Sequence, residues 1–250
     1  MPERRALLLT PERGRVRALA VELHGSGMDA ARQRAISGLA DLLLANDIAV
    51  LLPQAAIPFQ LMPDLQAGFA WHIPGAPLPD ASDLAVPASD DFGWIDERVA
   101  AARSDLGLTD APLFLAGYSG GARLASHLLV KSRLPWTAAG LVAGLRAVAG
   151  DRAPPPTIAF HGLDDPINPY GGSGYMRWDI GMDETCARYA AAQGSGLLDF
   201  HALPNAAHAW PGSSDREHLR LFGPDGEDFD ASALIAAFFM RHMARNGRDE

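Results

Sequence analysis

The feature that most constrains this chain is the stretch from Pro112 to Leu124, PLFLAGYSGGARL. A short apolar segment leads into a Gly-x-Ser-x-Gly turn, and an Ala- and Leu-rich helical pattern follows. This order predicts a strand, a sharp elbow and a helix, with Ser119 held in a strained backbone conformation that lifts its hydroxyl clear of the sheet. Only very small residues fit two places either side of such a serine, and Gly117 and Gly121 occupy those places. Ser119 is therefore the predicted nucleophile.

Two other serines, Ser173 and Ser195, also stand between glycines. Neither has the pattern of a strand before it and of a helix after it, so we interpret both as loop serines. The glycine-rich segment 171–174 also lacks the lysine of a phosphate-binding loop and is predicted to be a flexible turn.

Strand and helix patterns alternate along the rest of the chain. The predicted strands are 6–9, 16–23, 48–52, one beginning near 113, 138–143, 157–160 and 197–203, and the predicted helices are 30–45, 91–106, 121–133, 183–193 and 231–243. This alternation predicts one α/β domain over 1–250, with a mostly parallel central sheet covered by helices on both faces. The Pro-rich segment 53–87 interrupts the pattern, and because so long a loop in a compact domain is usually functional, we predict that it forms a wall of a substrate cleft.

Composition narrows the class of partner. The chain has 250 residues, of which 48% are hydrophobic, and a net charge of −9. That charge, without a basic patch, argues against nucleic acid and anionic membranes as partners. The single cysteine, Cys186, excludes an internal disulfide and is predicted to be a buried structural thiol. Residues 1–10 do not have the pattern of a secretory signal, so a cytoplasmic location is expected.

A nucleophilic serine needs an imidazole to remove its proton and a carboxylate to orient that imidazole. The predicted strand 157–160 leads into His161-Gly162-Leu163-Asp164-Asp165, where two carboxylates compete for the role of the acid. Asp164, beside glycine and proline residues, also suits a turn former. Spacing alone leaves Asp164 and Asp165 both open.

The base should lie in the loop between the last strand and the last helix, which places His208 there. Packing or solvent exposure explains the other histidines that follow the acid: His201 inside a predicted strand, His218 in a charged segment and His242 on the last helix.

Acyl transfer also needs hydrogen-bond donors aimed at the developing oxyanion. The backbone N–H of Gly120, directly after the nucleophile, is one candidate. The loop His24-Gly25-Ser26-Gly27 after the second strand should supply the other, and we favour the Ser26 N–H, with His24 bracing the loop. The histidine spacing fits no metal motif and one cysteine cannot anchor a thiolate cluster, so neither a metal nor a cofactor is predicted.

Together, four segments resemble one branch of the α/β-hydrolase superfamily, that of polyhydroxybutyrate depolymerases and feruloyl or acetylxylan esterases. They are Leu23-His24-Gly25, Gly117–Gly121, His161–Asp165 continuing to Pro169-Tyr170, and His208-Ala209-Trp210-Pro211-Gly212. The resemblance implies an α/β-hydrolase fold and a triad of Ser119, His208 and Asp165. It also implies that Trp71 and Trp210 lie near the face that binds the acyl group or polymer. The chain is similar in outline to cytoplasmic carboxylesterases, acyl-protein thioesterases and dienelactone hydrolases too, but a dienelactone hydrolase would carry cysteine at the elbow.

The sequence thus predicts a serine esterase that acts on a small-molecule or oligomeric ester, with a short-chain, hydroxyalkanoate or aromatic acyl group, through an acyl-enzyme. A thioesterase or a peptidase of the same fold is one alternative. A non-catalytic binding protein is another, and its expected signature would be a broken triad.

Overall fold

The computed structural model describes residues 4–61, 67–74, 90–174, 178–194, 197–226 and 229–245. The strands are β1 (Ala6–Leu9), β2 (Ala18–Leu23), β3 (Ile48–Pro53), β4 (Ile57–Phe59), β5 (Gly68–Ala70), β6 (Leu113–Tyr118), β7 (Ala138–Val142), β8 (Thr157–Gly162) and β9 (Leu198–Leu203). The helices are α1 (Ala30–Ser37), α2 (Leu39–Leu44), α3 (Asp91–Asp105), α4 (Gly120–Lys131), α5 (Met182–Gln193), α6 (Arg216–Phe222) and α7 (Ala231–Arg245). Among the residues that the structure describes, every helix is too short or too polar to span a lipid bilayer.

Seven strands form the central sheet in the order β1-β3-β2-β6-β7-β8-β9. β1 runs antiparallel to β3, and all other neighbours in this sheet are parallel. The predicted α/β fold with a mostly parallel sheet is therefore confirmed. β1 and β2 are joined by the irregular segment 10–17 and do not pair with each other, because β3 lies between them.

Helices cover both faces of the sheet because its strands are apolar on both sides. In β6, Leu113 and Leu115 pack into the cluster that holds α3, α4 and α5, and Phe114 packs into the cluster that holds α1, α2 and α7. Phe114 stacks on Phe239 of α7 with ring centroids 4.5 Å apart. This packing holds the parallel strands in place, and their carboxyl ends carry the predicted site residues.

Three local features differ from the sequence prediction. The helix predicted over 30–45 is two helices, because Gly38 has a left-handed conformation (φ 62°) that ends α1. The segment 53–87 contains an antiparallel hairpin of β4 and β5, while its residues 62–66 and 75–87 lie outside the described residues. The short helix α6 was not predicted, although Asp215 caps it by accepting a hydrogen bond from the His218 N–H and Gly223 ends it.

Glu22 is a buried carboxyl within β2, with 1% of its surface exposed. Its Oε1 accepts hydrogen bonds from Ser37 Oγ at 2.7 Å and from Gln33 Nε2 at 3.0 Å. Burial raises the pKa of Glu22 from 4.5 to about 7, and the two hydrogen bonds oppose the shift without cancelling it. Within the described residues, Glu22 Oε2 has no hydrogen-bond partner. The fold therefore favours a proton on this carboxyl.

We expect Glu22→Gln to stabilise the protein near pH 8. Its free energy of unfolding should also vary less between about pH 5 and about pH 8 than that of the wild type. Because the folded-state pKa of Glu22 lies above the unfolded value, its contribution is fully favourable below about pH 4.5 and is lost as the pH rises through about 7. The difference between these two pKa values corresponds to a gain of about 3 kcal/mol in the free energy of unfolding of the variant at alkaline pH. Urea unfolding at about pH 5 and about pH 8 measures this free energy, and Glu97→Gln, at an exposed position, is the control. Equal pH dependence in the wild type and Glu22→Gln would contradict the expectation.

Candidate active site

The site lies where the parallel strands end, because the carboxyl ends of parallel strands meet at one edge of the sheet. Four loops converge there. They follow β2, β6, β8 and β9 and carry, respectively, Ser26, Ser119, Asp165 and His208.

Ser119 occupies the elbow between β6 and α4 with φ 49° and ψ −113°, a conformation that is strained for a residue with a side chain. The neighbouring glycines are required for packing. A Cβ at Gly117 would lie 2.8 Å from the Ala122 N, and a Cβ at Gly121 would lie 2.6 Å from the His24 carbonyl oxygen. The Gly-x-Ser-x-Gly pattern thus reflects close approach of the backbone on both sides of the serine.

His208 connects Ser119 to Asp165 through its two ring nitrogens. Nε2 lies 2.8 Å from Ser119 Oγ, and Nδ1 lies 2.6 Å from Asp165 Oδ2. Because a carboxylate only accepts, Nδ1 carries the proton and Nε2 is left to accept the serine hydroxyl proton. The structure therefore brings together all three residues of the predicted triad.

The surroundings of the two candidate acids, Asp164 and Asp165, differ in the structure. Asp165 is 3% exposed, and its Oδ1 accepts hydrogen bonds from the backbone N–H groups of Ile167 and Asn168, both at 2.8 Å. Burial on its own would raise the pKa of Asp165, but the charge and hydrogen bond of His208 outweigh it and hold that pKa below the ordinary value. Asp164 is exposed. Its contact is through the backbone, where its N–H donates to the Ala206 carbonyl at 2.9 Å.

The two residues predicted for the oxyanion hole, Gly120 and Ser26, lie beside each other, and Ser26 lines the same cavity as Ser119. A Cβ added to Gly120 would lie 3.2 Å from the Ser26 N and would clash with Ser26 Oγ, so the two backbones adjoin. Within the described part of the chain, neither the Gly120 N–H nor the Ser26 N–H donates to a protein acceptor. Both residues predicted for the oxyanion hole are thus adjacent and carry available donors.

His24 braces the loop that holds Ser26. Its Nε2 accepts from the Ala55 N–H at 3.0 Å, so its Nδ1 carries the proton and donates to the Gly25 carbonyl at 2.8 Å. Burial lowers the pKa of His24 to about 4, which keeps the ring neutral. Trp71 packs on this ring at 4.8 Å between centroids and donates from Nε1 to the His24 carbonyl at 2.8 Å.

The structure contradicts the expectation that Trp71 and Trp210 contact the substrate. Both side chains are buried, with 1% and 0% exposed, and neither lines the cavity at Ser119. Trp71 supports the loop of Ser26, as described above. Trp210 donates from Nε1 to Ser232 Oγ at 3.0 Å, which ties the loop of His208 to α7. Their indoles are anchored to the protein and present no free face to a substrate.

Ser119 opens onto a cavity of about 20 Å³, which has room for about one water-sized group. The cavity adjoins a cleft of about 160 Å³, and the two share the residues Ser26, Met28, Leu61 and Phe222. Leu61, Ala67 and Gly68, from the described part of the segment predicted to form a cleft wall, line this cleft.

Sequence reasoning missed several residues around the serine. Tyr118 donates from its hydroxyl to the His208 carbonyl at 2.7 Å and holds that loop in place. Asn168 and Arg123 line the cavity together with Ser119. The spacing of Arg123, one helical turn after the nucleophile, was a signal that could have identified it.

The other three histidines considered for the base, and the cysteine, do not line the cavity at Ser119. His201 stacks on Phe160, His242 packs on Phe238, and His218 accepts the Trp210 N–H at 2.9 Å. Cys186 is only partly buried on α5, where burial raises the pKa of its thiol to about 12.

A scan against protein-family models finds no match for this sequence, and a search of curated proteins finds none either. Solved structures do match. The chain is similar to esterase PE8, with 18% identity, a TM-score of 0.66, and coverage of 96% of this chain and 99% of that one. It is also similar to a propionate-bound esterase, Est2, from the Planctomycetes species Thermogutta terrifontis (14% identity, TM-score 0.61, 94% and 88% covered). Acyl-protein thioesterase 2 from Zea mays is a third (17% identity, TM-score 0.53, 96% and 99% covered). At identities this low, the structural similarity shows the fold alone, which is that of the α/β-hydrolases.

Proposed function

We propose that this protein is a serine hydrolase that cleaves carboxylic esters through an acyl-enzyme on Ser119. One observation carries the proposal: the hydrogen-bonded series of Ser119, His208 and Asp165 ends beside two backbone amides that have no acceptor within the described residues. A nucleophile, a base, an orienting acid and oxyanion donors are the parts that acyl transfer needs.

The geometry suggests the following steps. Ser119 Oγ attacks the ester carbonyl carbon while His208 Nε2 takes its proton, and Asp165 stabilises the resulting imidazolium. The negative charge that develops on the carbonyl oxygen is held by the N–H groups of Gly120 and Ser26, and one such donor is worth about 3 kcal/mol. His208 then gives its proton to the departing alcohol. A water molecule, activated by the same imidazole, hydrolyses the acyl-enzyme and frees the acid.

The size of the site favours short acyl groups. The cavity at Ser119 and the adjoining cleft, of about 20 and 160 Å³, are smaller than the usual site for a drug-sized ligand. The propionate bound to the Thermogutta terrifontis esterase is consistent with a short acyl group. The narrower assignment to the polyhydroxybutyrate depolymerase and feruloyl esterase branch, and with it a hydroxyalkanoate or aromatic acyl group, stays a prediction.

Hydrolysis of p-nitrophenyl esters from acetyl to dodecanoyl tests the proposal. We expect kcat/KM to be highest between acetyl and butyryl and to fall about tenfold or more by octanoyl, because longer chains exceed the available volume. A fluorophosphonate should modify Ser119 and abolish turnover, and mass spectrometry of the labelled peptide identifies the site. Absence of turnover on every ester, with no labelling of Ser119, would rule the proposal out.

A thioesterase or a peptidase would use the same residues, and the Zea mays neighbour is named as an acyl-protein thioesterase. Matched p-nitrophenyl butyrate, butyryl thioester and peptide p-nitroanilide substrates distinguish the three. We expect kcat/KM to be highest for the ester, lower for the thioester and lowest for the anilide.

A further inference from the structure

His161 is a buried imidazole beside the acid of the proposed triad, and the steps described above give it no task. It lies near the end of β8, four residues before Asp165, and both side chains are fully buried. His161 Nε2 is 3.5 Å from Asp165 Oδ2, the same oxygen that lies 2.6 Å from His208 Nδ1. Two imidazoles therefore adjoin one carboxylate oxygen.

Asn168 determines which nitrogen of His161 carries the proton. His161 Nε2 lies 2.8 Å from the Asn168 carbonyl oxygen, and because a carbonyl oxygen only accepts, Nε2 is the protonated nitrogen. Asn168 in turn donates from its backbone N–H to Asp165 Oδ1 at 2.8 Å and from Nδ2 to the Ala143 carbonyl at 2.7 Å. His161 thus lies against one oxygen of the carboxylate and holds the residue that binds the other.

The ring of His161 is confined by its aromatic neighbours. Trp178 stacks on it with ring centroids 5.5 Å apart, and Tyr170 packs against it at 6.1 Å. Trp178 is itself held by a hydrogen bond from its Nε1 to the Pro169 carbonyl at 2.7 Å. An imidazole packed in this way keeps its N–H in one direction.

His161 is also neutral. Burial lowers its pKa and outweighs the charge of Asp165, while His208 and Arg146, the latter paired with Asp179, lower it further. A second proton, on Nδ1, would be a buried donor without an acceptor among the described residues. A neutral N–H fixes a carboxylate without neutralising it, so the negative charge of Asp165 stays available to the imidazolium of His208.

We propose that His161 is a positioning residue that keeps the Asp165 carboxylate turned so that Oδ2 faces His208 Nδ1. This role rests on the proposed function. The terminal torsion of an aspartate is soft, so hydrogen bonds to Oδ1 alone leave the direction of Oδ2 loosely defined. A displacement of about 1 Å at a catalytic group can cost about 100-fold in rate. The direct contact at Oδ2 and the bond to Asn168 together restrict that movement.

His161→Leu and His161→Gln test this role with p-nitrophenyl butyrate as substrate. Leucine is similar in size but has no donor, whereas the amide nitrogen of glutamine reaches about the position of Nε2. We expect His161→Leu to lower kcat by about 10- to 100-fold with KM within about twofold, and His161→Gln to keep kcat within about threefold of the wild type.

His201→Leu is the matched control, because His201 also stacks on an aromatic ring and adjoins a carboxylate. Its ring lies 4.8 Å from that of Phe160, its Nε2 lies 3.2 Å from Asp199 Oδ1, and it does not line the cavity at Ser119. We expect this variant to keep wild-type kcat.

Proton NMR gives a readout that does not depend on turnover. The His208 Nδ1–H lies in a 2.6 Å hydrogen bond to a carboxylate, which should place its signal far downfield. We expect this signal in the wild type and in His161→Gln, and its loss or an upfield shift in His161→Leu. A residue that only fills space would lower the stability of the leucine variant without moving the signal.

The outcomes separate this role from the function on which it depends. Wild-type kcat in His161→Leu, an unchanged His208 signal there, or equal losses of kcat in the leucine and glutamine variants would overturn the role of His161 and leave the esterase proposal intact. Absence of turnover in the wild type would count against the esterase proposal, and the NMR comparison would then decide on His161.

If His161→Leu does not fold, ¹⁵N NMR of the wild-type histidines decides. We expect His161 as the neutral Nε2–H tautomer and His208 as the Nδ1–H tautomer. A proton on His161 Nδ1 would overturn the role, because Nε2 would then have no hydrogen to donate to Asn168 or would belong to a charged ring.

Discussion

Replacing Ser119 with alanine is expected to lower kcat for ester hydrolysis by about 10⁴-fold or more. The change removes the atom that attacks the carbonyl, and His208 then has no hydroxyl to deprotonate. The backbone should tolerate the substitution, because serine and alanine are strained alike at φ 49°. Residual activity would come from the Gly120 and Ser26 amides and from substrate binding, which remain in the variant.

Ser173→Ala is the matched control, because Ser173 also stands between two glycines. Its hydroxyl donates to the Trp178 carbonyl at 3.1 Å, and it does not line the cavity at Ser119. We expect this variant to keep wild-type kcat, and circular dichroism to show that both variants fold. A Ser119→Ala enzyme that retained turnover, or a Ser173→Ala enzyme that lost as much, would contradict the assignment of the nucleophile.

The architecture could be predicted from the sequence because apolar strand patterns and amphipathic helix patterns alternate clearly, and parallel strands bring their carboxyl ends to one edge. Ser119, Asp165 and His208 each follow a strand, so their convergence could be expected without knowing a single distance. The break at Gly38 was missed because apolar periodicity continues through it, and only the backbone conformation ends the helix.

The surroundings of individual side chains were harder to predict. The motif resemblance indicated that Trp71 and Trp210 matter for the site, but not that their indole N–H groups are bound inside the protein. Depth of burial depends on packing among segments far apart in the chain, which a local pattern does not contain. Arg123 is a different case, because its closeness to the serine follows from the direction of a helical side chain, which its spacing from Ser119 already indicates.

Spacing could not distinguish Asp165 from Asp164, and a pair of substitutions to asparagine does so sharply. We expect Asp165→Asn to lower kcat by about 10³- to 10⁴-fold. Asp165 Oδ1 accepts two backbone N–H groups, so the amide oxygen of an asparagine should take that place and turn its NH₂ toward His208 Nδ1. An NH₂ group can only donate, which moves the imidazole proton to Nε2 and leaves no acceptor for the Ser119 hydroxyl.

Asp164→Asn supplies the control, because its exposed carboxyl takes no part in that series and its backbone contact does not depend on the side chain. Its kcat should stay within about twofold of the wild type. The KM of Asp165→Asn should change far less than its kcat, because the defect is in proton transfer and not in the cavity that holds the ester. A large loss in Asp164→Asn, or an equal loss in both variants, would show that the acid had been assigned to the wrong carboxylate.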